Sequence, residues 1–380
     1  MGKRTKRFVA LLLAGVLALP LTAAAAPAGP EVTAPAAILM EASTGQVLYE
    51  KDADSSREPA SVTKIMTLLL IMEAIESGQI GWDDMVPTSE TAASMGGSQI
   101  WLEPGEQMSV RDMVKAICIV SANDAAFAMG EYISGSGEAF VARMNERAKE
   151  LGCSGTNFAN PTGLPAEGHV MTARDIALIS RELIKHEEIR EFSLTWMDSL
   201  RDGANELVNT NKLIKTYDGI TGLKTGSTDS ALYCLSATAE RDGMALIAVV
   251  LGAPTTKDRF QDATRLLDYG YANYQLLRPE LPELPMLPVR RGVVPEVALT
   301  VKDGAFSVLA EKSGEQEIEC QLSLAEAVTA PVEPGQTVGT VTYVRAGETI
   351  GESPVVTAEG VDRAGFVEIF FEVLSGVMPS

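Results

Sequence analysis

Histidine is almost missing from this sequence, with only His169 and His186 among 380 residues. Neither sits in an HExxH pattern, so the helix-borne zinc pair of a metalloprotease is excluded. A GxSxG elbow is also missing, which removes the setting in which α/β-hydrolases pair serine with histidine. Cysteine is scarce. Cys118, Cys153, Cys234 and Cys320 are too few to staple a chain this long, and Cys118, inside "MVKAICIV", reads as core; buried or free thiols are the default. Positive charge is in deficit, 31 Lys and Arg against 51 Asp and Glu, a formal net charge of −20 that argues against a nucleic-acid or polyanion surface.

Long apolar runs are rare as well. The main one, Phe8 to Leu21, is too short to span a bilayer comfortably. It follows a basic head of Lys3, Arg4, Lys6 and Arg7 and precedes Ala-x-Ala patterns, which predicts a secretory signal over residues 1–28, cut near Ala26 or Ala28. Losing those four positive charges takes the chain from −20 to −24 and places its work outside the cytoplasm.

With 46% hydrophobic residues the remainder can bury a sizeable core in two or more domains. "AAILMEASTGQVLYEKD" (36–52) predicts a hairpin, and a helix opening at Ser61 runs to about Gly78. A mainly helical stretch follows to about 190, including the well-capped "TARDIALISRELIKH". Strands return over 217–228, 231–240 and 244–252, then a helix over 256–275. Strands at both ends with helices between them predict an α+β fold, one antiparallel sheet closed by the two chain ends beside a helical lobe. The Pro-rich 277–292 reads as a linker and 293–360 as a small β-sandwich. Over 361–380 the pattern predicts an amphipathic helix, with Phe366, Ile369, Phe370 and Val373 on one face and Glu368, Glu372 and Ser375 on another; it suits a membrane surface and is too short to cross one.

If this is a serine enzyme, its base is not expected to be histidine. In "PASVTKIMTLLL" Ser61 and Lys64 are three residues apart, one helical turn, within hydrogen-bond reach. A free lysine, pKa roughly 10.4, is a poor base at neutral pH, but burial and a second cation lower that value. Taken singly, SxxK is a common pattern. "IVSANDAA" adds Ser121 and Asn123 at the end of an apolar segment, and "GLKTGST" adds Lys224, Thr225 and Gly226 on a strand, where glycine permits close approach of a ligand backbone.

SVTK, SAN and KTG in this order resemble the SxxK, SxN and KTG set of penicillin-binding proteins and serine β-lactamases. The flanking "EPASVTKIMT", "SANDAA", "NFANPTGLPAEGH", "DGITGLKTGST" and "LGAPTTKDRF" resemble the low-molecular-weight D-alanyl-D-alanine carboxypeptidases over roughly 32–275. That resemblance implies a β-lactamase/DD-peptidase-like catalytic domain over 32–276, followed by the sandwich and an anchor helix. It implies Ser61 as acylated nucleophile, Lys64 as base and Ser121 as proton relay to the leaving D-alanine. It implies further that Asn123 holds the substrate amide, that Lys224 supplies positive potential, and that Thr225, aided by Arg259, takes the terminal carboxylate. Gly226 and Ser227 complete the binding strand, the backbone N–H of Ser227 joining that of Ser61 in an oxyanion hole. Two positions depart from the family pattern: Ala122 stands where glycine is frequent and Ser227 where histidine is common. The implied partners are a peptidoglycan pentapeptide, β-lactam inhibitors and, through the C-terminal helix, a membrane surface, with no metal, cofactor or nucleic acid. Rival readings are a β-lactamase using Glu167 for deacylation, a DD-endopeptidase, and a non-catalytic wall-binding protein.

Overall fold

The computed structural model describes residues 29–365 apart from 303, 305 and 315. The expected signal sequence, and residues 366–380 of the helix expected over 361–380, lie outside the described residues.

The first unit is built on a five-stranded antiparallel sheet in the order Val47–Lys51, Ala36–Glu41, Met244–Ala253, Leu232–Arg241, Ile220–Thr228. The hairpin at the start of the chain thus pairs with the last of the three returning strands, as the α+β reading anticipates. The Ala36–Glu41 strand is buried along its whole length because both faces are covered. Ile38 and Met40 point into the core of the helical lobe, while Ala37 and Leu39 pack with the Thr256–Asn273 helix on the other side, the period of two that a pleated strand imposes. Gly270 permits the close seat of that helix, since a Cβ there would lie 2.5 Å from Leu246.

The centre of the helical lobe is the Lys64–Glu76 helix, buried around most of its circumference by Ile65, Met66, Leu68, Leu69, Leu70 and Ile71. A helix apolar on every face has to be surrounded, and here the Asn123–Ser134 and Ala173–Leu183 helices are among those packed against it. One detail departs from expectation. Ser61 does not open the α-helix but sits in a 3-10 turn, Ala60–Thr63, and the α-helix starts at Lys64.

The second unit joins a four-stranded antiparallel sheet, ordered Leu299–Val301, Glu348–Thr357, Thr337–Arg345, Glu319–Leu324, to a three-stranded one centred on Leu287–Arg290. Val289, Val297, Val341, Val355 and Tyr343 fill the space between, with Phe306 stacked on Tyr343 at 4.1 Å. Two boundaries differ from the sequence reading. The segment expected as a linker over 277–292 contributes the Leu287–Arg290 strand, and Tyr274–Leu277 pairs with Val308–Glu311, tying the two units together. Pro288 does not prevent the strand: Val289 N donates to the Pro295 carbonyl at 2.7 Å, so the Pro288 nitrogen faces the other flank, where pairing with Val328–Thr329 begins only at Val289. Residues 361–364, expected as the start of the amphipathic helix, are instead bridged to Val332 and Gly292.

Candidate active site

The 3-10 turn decides the geometry of the first motif. Side chains at i and i+3 eclipse in such a turn, and Lys64 Nζ accordingly lies 3.1 Å from Ser61 Oγ. The amine reaches two further oxygens, Asn123 Oδ1 at 2.5 Å and the Thr162 carbonyl at 2.6 Å. Lys64 is fully buried, and that burial, with the Lys224 charge as the second cause, holds its pKa well below the ordinary value, against a smaller upward pull from Asp124.

Asn123 opens the Asn123–Ser134 helix, and its side-chain amide is spent on the protein itself. Nδ2 donates to the Gly96 carbonyl at 2.6 Å, which turns Oδ1 toward Lys64. Two residues earlier Ser121 has a left-handed backbone, φ 64°, in the bend between the Val110–Ile119 and Asn123–Ser134 helices. Its buried Oγ has no hydrogen-bond partner among the described residues. Strain and an orphaned hydroxyl together mark a group held ready for something outside the fold.

The Ile220–Thr228 strand forms the opposite wall. Lys224 is buried and donates to the Thr225 carbonyl at 2.9 Å; burial pushes its pKa down to about 7, with Arg259 adding repulsion and Cys118 opposing. Thr225 Oγ1 lies 2.6 Å from Thr210 Oγ1. A Cβ at Gly226 would stand 2.8 Å from the Ser61 nitrogen and 2.9 Å from the Pro59 carbonyl. Ser227 is exposed at the end of the wall. Arg259 comes from the Thr256–Asn273 helix, its Nη1 donating to the Gly226 carbonyl at 3.1 Å and the Cys234 carbonyl at 3.3 Å; burial lowers its pKa to about 10.

Residues 22–255 match the family described as "D-alanyl-D-alanine carboxypeptidase". The chain belongs to that family. Residues 286–363 also match the domain described as "Penicillin-binding protein 5, C-terminal domain". Among curated proteins, D-alanyl-D-alanine carboxypeptidase DacF of Bacillus subtilis is 44% identical over 95% of this chain and 96% of its own length. DacC of Escherichia coli is 36% identical over 89% and 86%. Among solved structures, penicillin-binding protein 5 of Haemophilus influenzae superposes with a TM-score of 0.72 at 30% identity, covering 88% of this chain and 99% of that one.

In this carboxypeptidase-family chain the structure brings Ser61, Lys64 and Asn123 into contact, packs Gly226 against the Ser61 turn, and sets Lys224 near enough for its charge to act on Lys64. Ser121 lies two residues before Asn123, Thr225 and Ser227 flank Gly226, and Arg259 holds the Gly226 carbonyl. Two emphases shift from the sequence reading. Asn123 is engaged with Lys64 and Gly96, so its amide clamps the lysine. Gly226 admits the protein's own Ser61 turn. The sequence reading missed four contributors. The Thr162 and Gly96 carbonyls carry no side-chain signal. Asp124, fully buried, binds the Ile100 and Leu102 amides, each at 3.1 Å, and so anchors the rim loop that supplies Gly96. His169, read only as a triad that was not there, is buried, accepts from the Ala159 amide at Nδ1 (2.9 Å), and meets Thr63 Oγ1 through Nε2 at 2.8 Å. That acceptance at Nδ1 places the ring proton on Nε2, which donates to Thr63, and Thr63 in turn donates to the Ala60 carbonyl at 2.8 Å. The loop thus props the turn carrying Ser61. The cue was present in "NFANPTGLPAEGH", where a histidine lacks any catalytic partner nearby in sequence.

Proposed function

We infer that Ser61 is the nucleophile and Lys64 its general base in a serine-type D-alanyl-D-alanine carboxypeptidase. The observation that carries this is the hydrogen count at Lys64. A neutral amine has two N–H groups and one lone pair. Two of its three neighbours, Asn123 Oδ1 and Thr162 O, are carbonyl oxygens that can only accept, so they take both N–H groups and the lone pair faces the Ser61 hydroxyl. Burial and the Lys224 charge favour that neutral form.

Ser61 Oγ attacks the carbonyl of the penultimate D-alanine as its proton passes to Lys64. The oxyanion is met by backbone N–H groups of Ser61 and Ser227, a contribution often worth several kcal/mol. The C–N bond breaks, and a proton relayed through Ser121 leaves with the terminal D-alanine. Water then attacks the acyl ester, with Lys64 again accepting the proton, and Ser61 is restored. Lys224, Thr225 and Arg259 attract the substrate's terminal carboxylate, and the stem peptide lies beside the Ile220–Thr228 strand as an added strand. β-Lactams, which mimic D-Ala-D-Ala, acylate the same hydroxyl.

Glu167, the residue a β-lactamase reading requires, is exposed, and that loop offers Lys64 the Thr162 carbonyl. This favours slow loss of a penicilloyl group. The basic head and apolar run at residues 3–21 support export, and the 361–380 segment supports attachment to the outer face of the membrane. Release of D-alanine from diacetyl-Lys-D-Ala-D-Ala tests the function directly. No D-alanine release overturns it, in favour of an endopeptidase if cross-linked dimers are split into monomers and of a wall-binding protein if they are not.

A further inference from the structure

We propose that the 290–294 turn of the second domain is a lipid-contact element in its own right, seated in the headgroup region of an anionic membrane beside the C-terminal segment. This rests on the membrane attachment proposed above and adds a contact made by the folded domain.

Val293 and Val294 are 51% and 43% exposed at the tip between the Leu287–Arg290 and Glu296–Val297 strands. Arg290 and Arg291 precede them, and Arg363 lies across the bridge it forms with Gly292; all three arginines are exposed. Within 290–296 and 361–364 the acids are Glu296 and Asp362, so along these two segments three positive charges meet two negative ones around two bare valines, on a chain whose formal charge is −20. Such a spot is the reverse of the surface as a whole.

Its position supplies the occupant. Val293 N donates to the Asp362 carbonyl at 3.0 Å and Ala364 N to the Arg291 carbonyl at 2.8 Å, which pins the turn to the last described residues. "FVEIFFEVL" begins at residue 366, two residues beyond Ala364, and a residue spans at most about 3.5 Å. A surface that receives Phe366, Ile369 and Phe370 is therefore within reach of the valine tip. Arginines near an anionic leaflet gain attraction that the rest of this acidic domain lacks, and two valines entering the headgroup region leave water.

The test uses the exported protein with both domains and the whole C-terminal segment. Val293→Cys in a Cys320→Ser background carries a nitrobenzoxadiazole label, and the probe is vesicles of phosphatidylcholine with or without phosphatidylglycerol. The label is expected to shift to the blue on phosphatidylglycerol vesicles. The unlabelled triple variant Val293→Ser, Val294→Ser, Arg291→Gln is expected to partition at least about tenfold more weakly, of which about fivefold comes from the lost arginine. Its release of D-alanine from a soluble peptide stays at the level of the parent. Vesicle binding with a water-like label and undiminished affinity of the triple variant overturns the inference and leaves the attachment reading standing. Failure of the parent to bind any vesicle overturns the attachment reading. A label shielded from iodide before vesicles are added shows that the chain's own segment covers the turn, which also overturns the inference.

Discussion

Ser61 Oγ and Lys64 Nζ stand 3.1 Å apart across a single 3-10 turn, and Lys64 has no exposed surface. The amine is therefore dry, held by three oxygens, and unable to keep a proton at the pH where a surface lysine would.

The first consequence is covalent. Wild-type protein treated with benzylpenicillin should gain the mass of one penicilloyl group, and Ser61→Ala should gain none while its circular dichroism spectrum is unchanged. Lys64→Met should remain folded and acylate roughly 10²–10⁴-fold more slowly, the range for loss of a general base. Adduct on Ser61→Ala, located by peptide mapping at another serine, would displace the assignment.

The second concerns pH. With Lys64 as the proposed base, the acid limb of the kcat/KM profile is expected to follow its protonation, and Lys224 is the charge that holds that pKa down after burial. Removing a positive neighbour raises the pKa of a lysine, so Lys224→Ala should move the acid limb to higher pH as well as lowering kcat/KM. A limb that stays in place while kcat/KM falls would confine Lys224 to carboxylate binding.

Gly226→Ala makes a steric test. The new Cβ would press on Ser61 N at 2.8 Å and on Pro59 O and Val62 N at 2.9 Å each, all backbone atoms without a soft rotamer to yield. We expect a stability loss of about 1–3 kcal/mol and a drop in acylation rate of about 100-fold, because a misplacement near 1 Å is enough for that. Denaturant unfolding and stopped-flow acylation with nitrocefin measure the two. A fully active Ala variant would show that the strand and the nucleophile turn are not packed this closely.

His169 yields a linkage prediction. Burial lowers its pKa from 6.5 to about 4, so folding expels a proton from it between those values. Its contribution is intact above pH 6.5 and is lost as pH falls toward 4, on the order of 3 kcal/mol in all. His169→Gln should be less stable at neutral pH, having weakened the Thr63 and Ala159 bonds, yet should lose less stability between pH 6.5 and 4. Parallel pH dependences in the two proteins would contradict the buried, neutral imidazole.

The order of strands and helices was legible because periodicity is a local property. The continuous apolar run of "AAILMEA", the caps of "TARDIALISRELIKH" and the Gly-rich turns each constrain their own neighbourhood. The Leu287–Arg290 strand escaped notice since Pro288 and the prolines before it mimic a linker, and its partners Glu296–Val297 and Val328–Thr329 are only two residues long.

For the site, residue chemistry and spacing alone determined which side chains could serve: a serine and a lysine one turn apart, a second serine with an asparagine, and a lysine on a strand, in a chain with too little histidine for another scheme. Tertiary structure decided what those side chains face. The Thr162 and Gly96 carbonyls, the His169–Thr63 strut and the approach of Gly226 to Ser61 join segments 27 to 165 residues apart. Backbone oxygens are identical in every residue, and the burial that lowers the Lys64 pKa comes from the whole lobe closing around it. Neither can be read before the chain has folded.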